Sequence, residues 1–267
     1  MGESGPQPST YRYRATGRNG EAPRSRLQTV DLDLLGLKRG ERILDVGCGS
    51  GRHLLEAGRR ACRAVGLELG AADFGEIKLY FYSLACEGGL RARVDLLLGA
   101  GERLPFADAS FDRVVCTEVL EHVSNDRLLL DEFARVLRPG GTIAVSVPDT
   151  YAEAIYWWLL ALQRSRLEEH LRIYRRRRVV DLLNAAGLRI YARRYRHSLE
   201  SLRWLLIWTS VDDNGAVRRI SDTWEDFLTD RTVEDSGVLR FIDDIGNHVL
   251  PKSMVIYARK PVSGRPQ

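Results

Sequence analysis

The chain has 267 residues, 44% of them hydrophobic and 28% charged, with a formal net charge of +4. That length suits one large α/β domain or a domain with a cap, and the near balance of charge speaks against a strongly cationic nucleic-acid binder. Cys48, Cys62, Cys86 and Cys116 lie in apolar or glycine-rich contexts without C-x-x-C spacing, which argues against a zinc site and a secreted disulfide framework.

Residues 1–25 are rich in Gly, Pro, Ser and Arg and read as a flexible N-terminal arm. The first residues hold no apolar signal core, and no run approaches the roughly 18 apolar residues that span a bilayer. A soluble, cytoplasmic protein is expected. Apolar residues at helical spacing predict a helix from Leu27 to Leu37, ended by Lys38-Arg39-Gly40. A strand follows over 43–47, then a helix from Arg52 to Arg60, a strand at Ala64-Val65-Gly66-Leu67 and a helix from Ala71 to Cys86. Val94 to Leu98, Arg113 to Cys116 and Thr142 to Val147 are short β-rich runs. Strands alternating with helices predict a doubly wound, mostly parallel sheet that gathers ligands at its C-terminal strand ends. After Pro148 the rhythm breaks into a helix from about Tyr151 to Leu167, a short helix from Arg178 to Ala186 closed by Gly187, and a strand from Leu188 to Tyr195. Residues 196–250 fit no strand-helix alternation.

The run Ile43-Leu44-Asp45-Val46-Gly47-Cys48-Gly49-Ser50-Gly51 is an apolar strand that empties into glycines, the way open α/β sheets receive nucleotide-like ligands. Its glycines alternate, and Arg52 stands where a dinucleotide fingerprint has its third glycine, which disfavours NAD. The segment resembles the first motif of class I S-adenosylmethionine-dependent methyltransferases. That resemblance implies a Rossmann-like fold with a seven-stranded sheet, and S-adenosyl-L-methionine as cofactor. It places Asp45, Gly47, Cys48, Gly49 and Gly51 around the cofactor's methionine portion and sugar. The tail from Lys252 to Pro261 resembles the family's final edge strand, which lies antiparallel to the rest. Residues 26–195 and 251–262 are accordingly expected to form the cofactor-binding domain. Residues 196–250 are expected as a helical insertion before the last strand, capping the acceptor side. The arm 1–25 is expected as a tail or as a flap over the cofactor.

Further features recur in order behind the loop. Glu68 ends the second strand about 20 residues on, where a carboxylate accepts both ribose hydroxyl protons. Gly99-Ala100-Gly101-Glu102-Arg103-Leu104-Pro105-Phe106 resembles the family segment G-D-A-E-x-L-P-F beside the adenine, with Ala100 in place of the usual aspartate. The lost hydrogen bond is worth about 0.5–1.5 kcal/mol. Gly101 is expected to face the ring by its amide, and Glu102 is a further candidate contact. Ser110 to Cys116, followed by Thr117-Glu118-Val119-Leu120-Glu121-His122, resembles the fourth strand and the turn facing the transferable methyl. There the carbonyls near Cys116 and Thr117 are expected to hold the methionine ammonium. Leu137-Arg138-Pro139-Gly140-Gly141 resembles the tight turn before the fifth strand.

On the acceptor side, His170 lies in His170-Leu171-Arg172-Ile173-Tyr174, a stretch similar to one that roofs the active site in relatives; histidine takes a hydroxyl proton near neutral pH. His170 and His122 are the catalytic candidates, with Glu118 and Glu121 as further acid or base candidates in a stretch that shapes the pocket in relatives, and His197 weaker; no metal is expected. Arg175-Arg176-Arg177-Arg178 reads as a solvated cationic face or a contact for an anionic acceptor or peripheral membrane lipid. Trp157-Trp158 and Trp204 with Trp208 suit a cap core or the wall of an amphipathic or carbohydrate-bearing acceptor pocket. The reading is methyl transfer to an oxygen of such a small molecule, with no nucleic-acid partner and the oligomeric state left open. C-methylation of a quinone-like ring and a non-catalytic scaffold are the alternatives.

Overall fold

The structure is a computed structural model that describes residues 28–70, 74–150, 154, 172–201 and 237–262. The arm 1–25, His170, the expected helix at 151–167 apart from Ala154, and Trp157, Trp158, Trp204 and Trp208 lie outside the described residues.

The elements run β1 (Arg42–Val46), α1 (Arg52–Arg59), β2 (Arg63–Glu68), α2 (Phe74–Cys86), β3 (Val94–Leu98), β4 (Phe111–Thr117), a 3-10 turn (Leu120–His122), α3 (Asp126–Val136) and β5 (Leu137–Pro148). Then follow α4 (Arg176–Ala185), β6 (Arg189–Arg196), α5 (Gly237–Gly246) and β7 (Ser253–Arg259). They build a seven-stranded sheet in the order β3-β2-β1-β4-β5-β7-β6. The strands β3-β2-β1-β4-β5 pair in parallel, and β7 is antiparallel to both β5 and β6. This is the expected doubly wound, Rossmann-like architecture, with α5 in the connection between β6 and β7.

Central strands carry near-continuous buried apolar runs because helices cover both faces. Val114, Cys116, Ile143, Val145 and Ile256 face one core with Leu129, Leu130 and Phe133 of α3 and Val179 and Leu183 of α4. Val115, Ala144, Val255 and Tyr257 face the other with Leu54 and Leu55 of α1, Ile77 and Phe81 of α2, and Val30 and Leu35. At the edge, β6 exposes Arg189, Arg193 and Arg194, charges that blunt edge-to-edge pairing.

Three expectations are corrected. Residues 28–37 form no helix: turns occupy 32–36, although Val30, Leu32, Leu35 and Leu37 are buried as the spacing implied. Asp31 Oδ1 accepts the Asp33 and Leu34 N–H groups, which competes with a helical ladder. The Val30 and Asp31 N–H groups donate to His53 and to the Tyr257 hydroxyl, so tertiary bonds override the local period.

The Leu137-Arg138-Pro139-Gly140-Gly141 stretch is not a reversal before the fifth strand but the opening of β5 itself. Leu137 pairs with Phe111 and Thr142 with Arg113, and the residues between bulge out of the ladder. The Gly140 N–H donates to the Lys260 carbonyl and the Lys260 N–H to the Gly141 carbonyl, which ties the bulge to the chain beyond β7. Third, β7 is no edge strand. It inserts between β5 and β6, leaving β3 and β6 at the edges.

Candidate active site

The parallel strands β1, β2, β4 and β5 end on one side of the sheet, where the glycine loop after β1 meets the turn after β4, and open α/β sheets bind ligands in a crevice at that end. Gly47 has φ +70, and a Cβ there would lie 2.3 Å from Val119 Cγ2. Only glycine lets this loop pass under the turn after β4. Gly49 also takes a positive φ, +49, yet nothing lies within 4 Å of its missing Cβ. One glycine is demanded by a neighbour and the other borders open space. Gly51 closes the loop as the N-cap of α1. The Gly47 and Cys48 N–H groups donate to the Leu67 carbonyl, clasping loop and β2 together. Cys48 is buried, and burial together with Asp45 pushes its thiol well above the usual range, so it stays an uncharged packing group.

Glu68 stands where β2 ends. Its Oε2 accepts the Gly49 N–H at 2.9 Å and its Oε1 the Leu69 N–H at 3.0 Å, so backbone amides fix the carboxylate at the crevice mouth. The Gly99 N–H donates to the Glu68 carbonyl at 2.9 Å, which brings the Gly99-Ala100-Gly101-Glu102 stretch alongside. Ala100 is exposed and Glu102 half-buried. Gly101 packs inward: a Cβ there would meet Leu129 Cδ1 at 2.5 Å and Val46 Cγ1 at 3.1 Å. Leu69, 76% exposed beside Glu68, is an apolar wall that the sequence reading passed over; an exposed leucine next to an acidic strand end is a weak signal by itself.

Asp45 is fully buried, and neither carboxylate oxygen has a hydrogen-bond partner. The nearest cationic candidate is His53 Nδ1, 3.5 Å from Oδ2. The Val30 N–H donates to His53 Nε2, which leaves the imidazole proton on Nδ1, toward Asp45. Burial lowers the His53 pKa, so the ring is neutral and turns its Nδ1 proton toward the carboxylate. A buried carboxylate whose single close polar neighbour among the described residues is this imidazole, beneath a glycine loop, has room for a further hydrogen-bond donor. A cationic, hydroxyl-bearing group fits.

Cys116 and Thr117 end β4, buried between Val46 of β1 and Val145 and Ser146 of β5. Burial raises the Cys116 thiol well above its usual range, excluding a thiolate role. His122 ends the 3-10 turn after Val119, exposed, while Glu121 beside it is buried.

A second polar group, of which the sequence singled out Glu118 and His197 but not Glu200, Lys252 or Arg52, sits by the ends of β4 and β5. Glu118 has φ +54, a region few non-glycine residues occupy, and accepts the Ser146 hydroxyl at 2.7 Å. Lys252 Nζ lies 2.7 Å from Glu200 Oε2. The Arg52 guanidinium donates to Thr29 Oγ1 at 2.7 Å, and Thr29 Oγ1 is 2.9 Å from His197 Nε2. With Thr29 accepting from Arg52, its own proton points to Nε2. Burial drives the His197 pKa down to about 3, so the ring is a neutral acceptor. Burial works against the Glu200 carboxylate too, but Lys252 outweighs it and holds the pKa down to about 2. These residues come from 28–30, α1, the turn after β4, β5, the segment after β6 and the residue before β7, too scattered in sequence to form a motif.

A seven-stranded, mostly parallel sheet with a glycine loop after β1 and a carboxylate ending β2 defines a Rossmann-like methyltransferase fold. Residues 44–145 match the family described as "Methyltransferase domain". The chain is 34% identical over 113 residues to O-methyltransferase resE of Aspergillus sclerotiorum, covering 42% of this chain and 41% of that protein. It is 36% identical over 135 residues to the demethylmenaquinone methyltransferase of Beutenbergia cavernae, covering 48% and 51%. Among solved structures it is similar to the [4+2]-cyclase SpnF, with a TM-score of 0.56 and 24% identity, covering 86% of this chain and 80% of that one. The chain spans about half the length of the curated relatives it matches. The match over residues 44–145 and the fold make this chain similar to the S-adenosylmethionine-dependent methyltransferases.

Proposed function

We propose that this protein transfers a methyl group from S-adenosylmethionine to an oxygen of a small, amphipathic or carbohydrate-bearing acceptor. The observation that carries the cofactor half is the Glu68 carboxylate held against the Gly49 amide at the mouth of the glycine loop. When bound, the cofactor supplies a methyl group already activated on a sulfonium. The protein's part is to align, exclude water and manage a proton. Gly47, Cys48, Gly49 and Gly51 wrap the methionine portion, with Asp45 as the buried negative charge beneath it. Glu68 takes the ribose hydroxyls. Gly101 and Glu102 border the adenine, Leu69 offers it an apolar face, and Ala100 leaves out the carboxylate of related sequences. The carbonyls of Cys116 and Thr117 face the methionine ammonium.

On the acceptor side His122, in the turn next to the loop, and His170 are the candidates for proton removal, under a cap formed by residues 196–250. The match to an enzyme named O-methyltransferase supports oxygen as the target. The match to a demethylmenaquinone methyltransferase supports a second reading, C-methylation of a quinone-like ring.

Contact with anionic lipid is part of the same reading. Arg176, Arg189 and Arg193 line a groove of about 460 Å³ with Val180, Ile190 and Ile256, and exposed Arg175 and Arg177 flank it. No helix among the described residues is long and apolar enough to cross a membrane. A reducing, cytoplasmic setting suits the four free cysteines.

Calorimetric titration with S-adenosylhomocysteine, followed by a methyl-transfer screen over glycosides, phenols and quinones, tests the reading. Saturable binding and an O-methylated product support it. Absence of binding overturns it in favour of a scaffold, and a ring-methylated product selects the second reading.

A further inference from the structure

Glu118 stands at a junction of three strands. It follows β4, its N–H donates to the Ser146 carbonyl of β5 at 3.2 Å, and its Oε1 accepts the Ser146 hydroxyl at 2.7 Å. The Ser253 side chain of β7 helps to stabilise the charged form of the carboxylate. Its neighbour Val119 is the residue that Gly47 passes beneath, so Glu118 borders the loop assigned to the cofactor's methionine end. Its left-handed backbone, φ +54, is the kind of sparsely populated conformation that clusters at functional sites.

We propose that Glu118, in place of the histidine candidates His122 and His170, is the group that receives the acceptor's hydroxyl proton, with Ser146 as the positioning residue that holds its carboxylate. This rests on the methyl-transfer reading above. In the step, the acceptor O–H bond breaks and its proton bonds to a Glu118 oxygen. The electron pair left on the acceptor oxygen forms the bond to the methyl carbon, and the pair of the breaking carbon–sulfur bond returns to sulfur. Glu118 then gives its proton to solvent. No oxidant or metal is needed for the balance.

The surrounding charges favour Glu118 over its neighbours. Burial raises its pKa, and Lys252, Arg52 and the Ser146 and Ser253 hydroxyls offset only part of that rise. A carboxylate poised in this way is a stronger base than an ordinary one and nearer the operating pH. Glu200 is a poor alternative, because Lys252 holds its pKa down to about 2. His197, pushed down to about 3 and hydrogen-bonded to Thr29, is a poor one for the same reason. Lys252 is held charged by Glu200 and Glu118, so it balances the group without competing for the proton.

The test uses the full chain, labelled S-adenosylmethionine, and catechol, hydroquinone and octyl β-glucoside as hydroxyl probes. Wild type is expected to methylate at least one probe, with a rate that rises with pH through an ionisation above the usual carboxylate range. Glu118→Gln is expected to lower kcat by about 100-fold or more, keep S-adenosylhomocysteine affinity and lose that ionisation. Glu118→Asp restores the ionisation at a reduced rate, which separates proton transfer from a purely structural role. A Glu118→Gln enzyme within about threefold of the wild-type rate overturns the proposal, as does an unchanged pH profile. Transfer to none of the probes by a protein that binds S-adenosylhomocysteine also overturns it, whereas failure to bind that ligand overturns the methyl-transfer reading beneath it.

Discussion

At the β1–β2 end of the crevice, Gly47, Cys48 and Gly49 reach β2 through backbone amides, and a single carboxylate, Glu68, fixes the geometry. At the β4–β5–β7 end, Glu118 pairs with Ser146, Lys252 with Glu200, and Arg52 with Thr29, side chains drawn from distant parts of the chain whose charges act on one another. The first end suits a ligand recognised by shape, held by close backbone approach and one bidentate acceptor. The second suits a reacting group whose proton and charge must be managed. The cofactor side is therefore intolerant of added atoms, while the acceptor side is sensitive to charge and pH.

Adding one methyl at the cofactor end breaks the comparison most severely. Gly47→Ala forces a Cβ to 2.3 Å from Val119 in a left-handed backbone. The expected cost is about 1–2 kcal/mol for the conformation plus about 1–3 kcal/mol for the overpacking. A lowered Tm and loss of measurable S-adenosylhomocysteine binding are the outcomes to look for.

The acceptor end is expected to respond to acid instead. The His197 pKa is about 3 in the fold against 6.5 as the ordinary value, so its contribution to stability is complete above pH 6.5 and is lost as pH falls toward 3. Glu200, at about 2 against 4.5, contributes fully above pH 4.5 and loses its share as pH falls toward 2. Thermal melts across this range are expected to decline in two stages, and His197→Gln to remove the upper one. A melting temperature that holds steady from neutral pH down to 4 would contradict this.

The smallest change is expected from Gly49→Ala, which meets no neighbour within 4 Å and carries only the left-handed penalty of about 1–2 kcal/mol. Measured beside Gly47→Ala, it separates backbone strain from steric exclusion. Equal losses of stability would mean that Val119 yields freely.

The uneven legibility of the sequence has the same origin. Strands and parallel-sheet helices follow from buried apolar runs and 3.6-residue spacing, and the glycine loop with Glu68 is a contiguous local signal, so β1 to β5 and the placing of Glu68 beside the loop could be read in order. Residues 28–37 have helical spacing too, yet the His53 ring and the Tyr257 hydroxyl claim their N–H groups, partners no local pattern reveals. The bulge at Arg138 to Gly141 depends on Lys260, distant in sequence. Glu118, Glu200 and Lys252 are ordinary charged residues until β7 inserts between β5 and β6 and brings them together.

Isothermal titration of S-adenosylhomocysteine into wild type and Glu68→Ala tests the central claim most directly. Wild type is expected to bind saturably at one site, and loss of the carboxylate to weaken binding about 10-fold or more, a change of about 1.4 kcal/mol. Equal affinities in the two proteins would contradict the ribose role of Glu68, and no binding by wild type would contradict the assignment of the crevice itself.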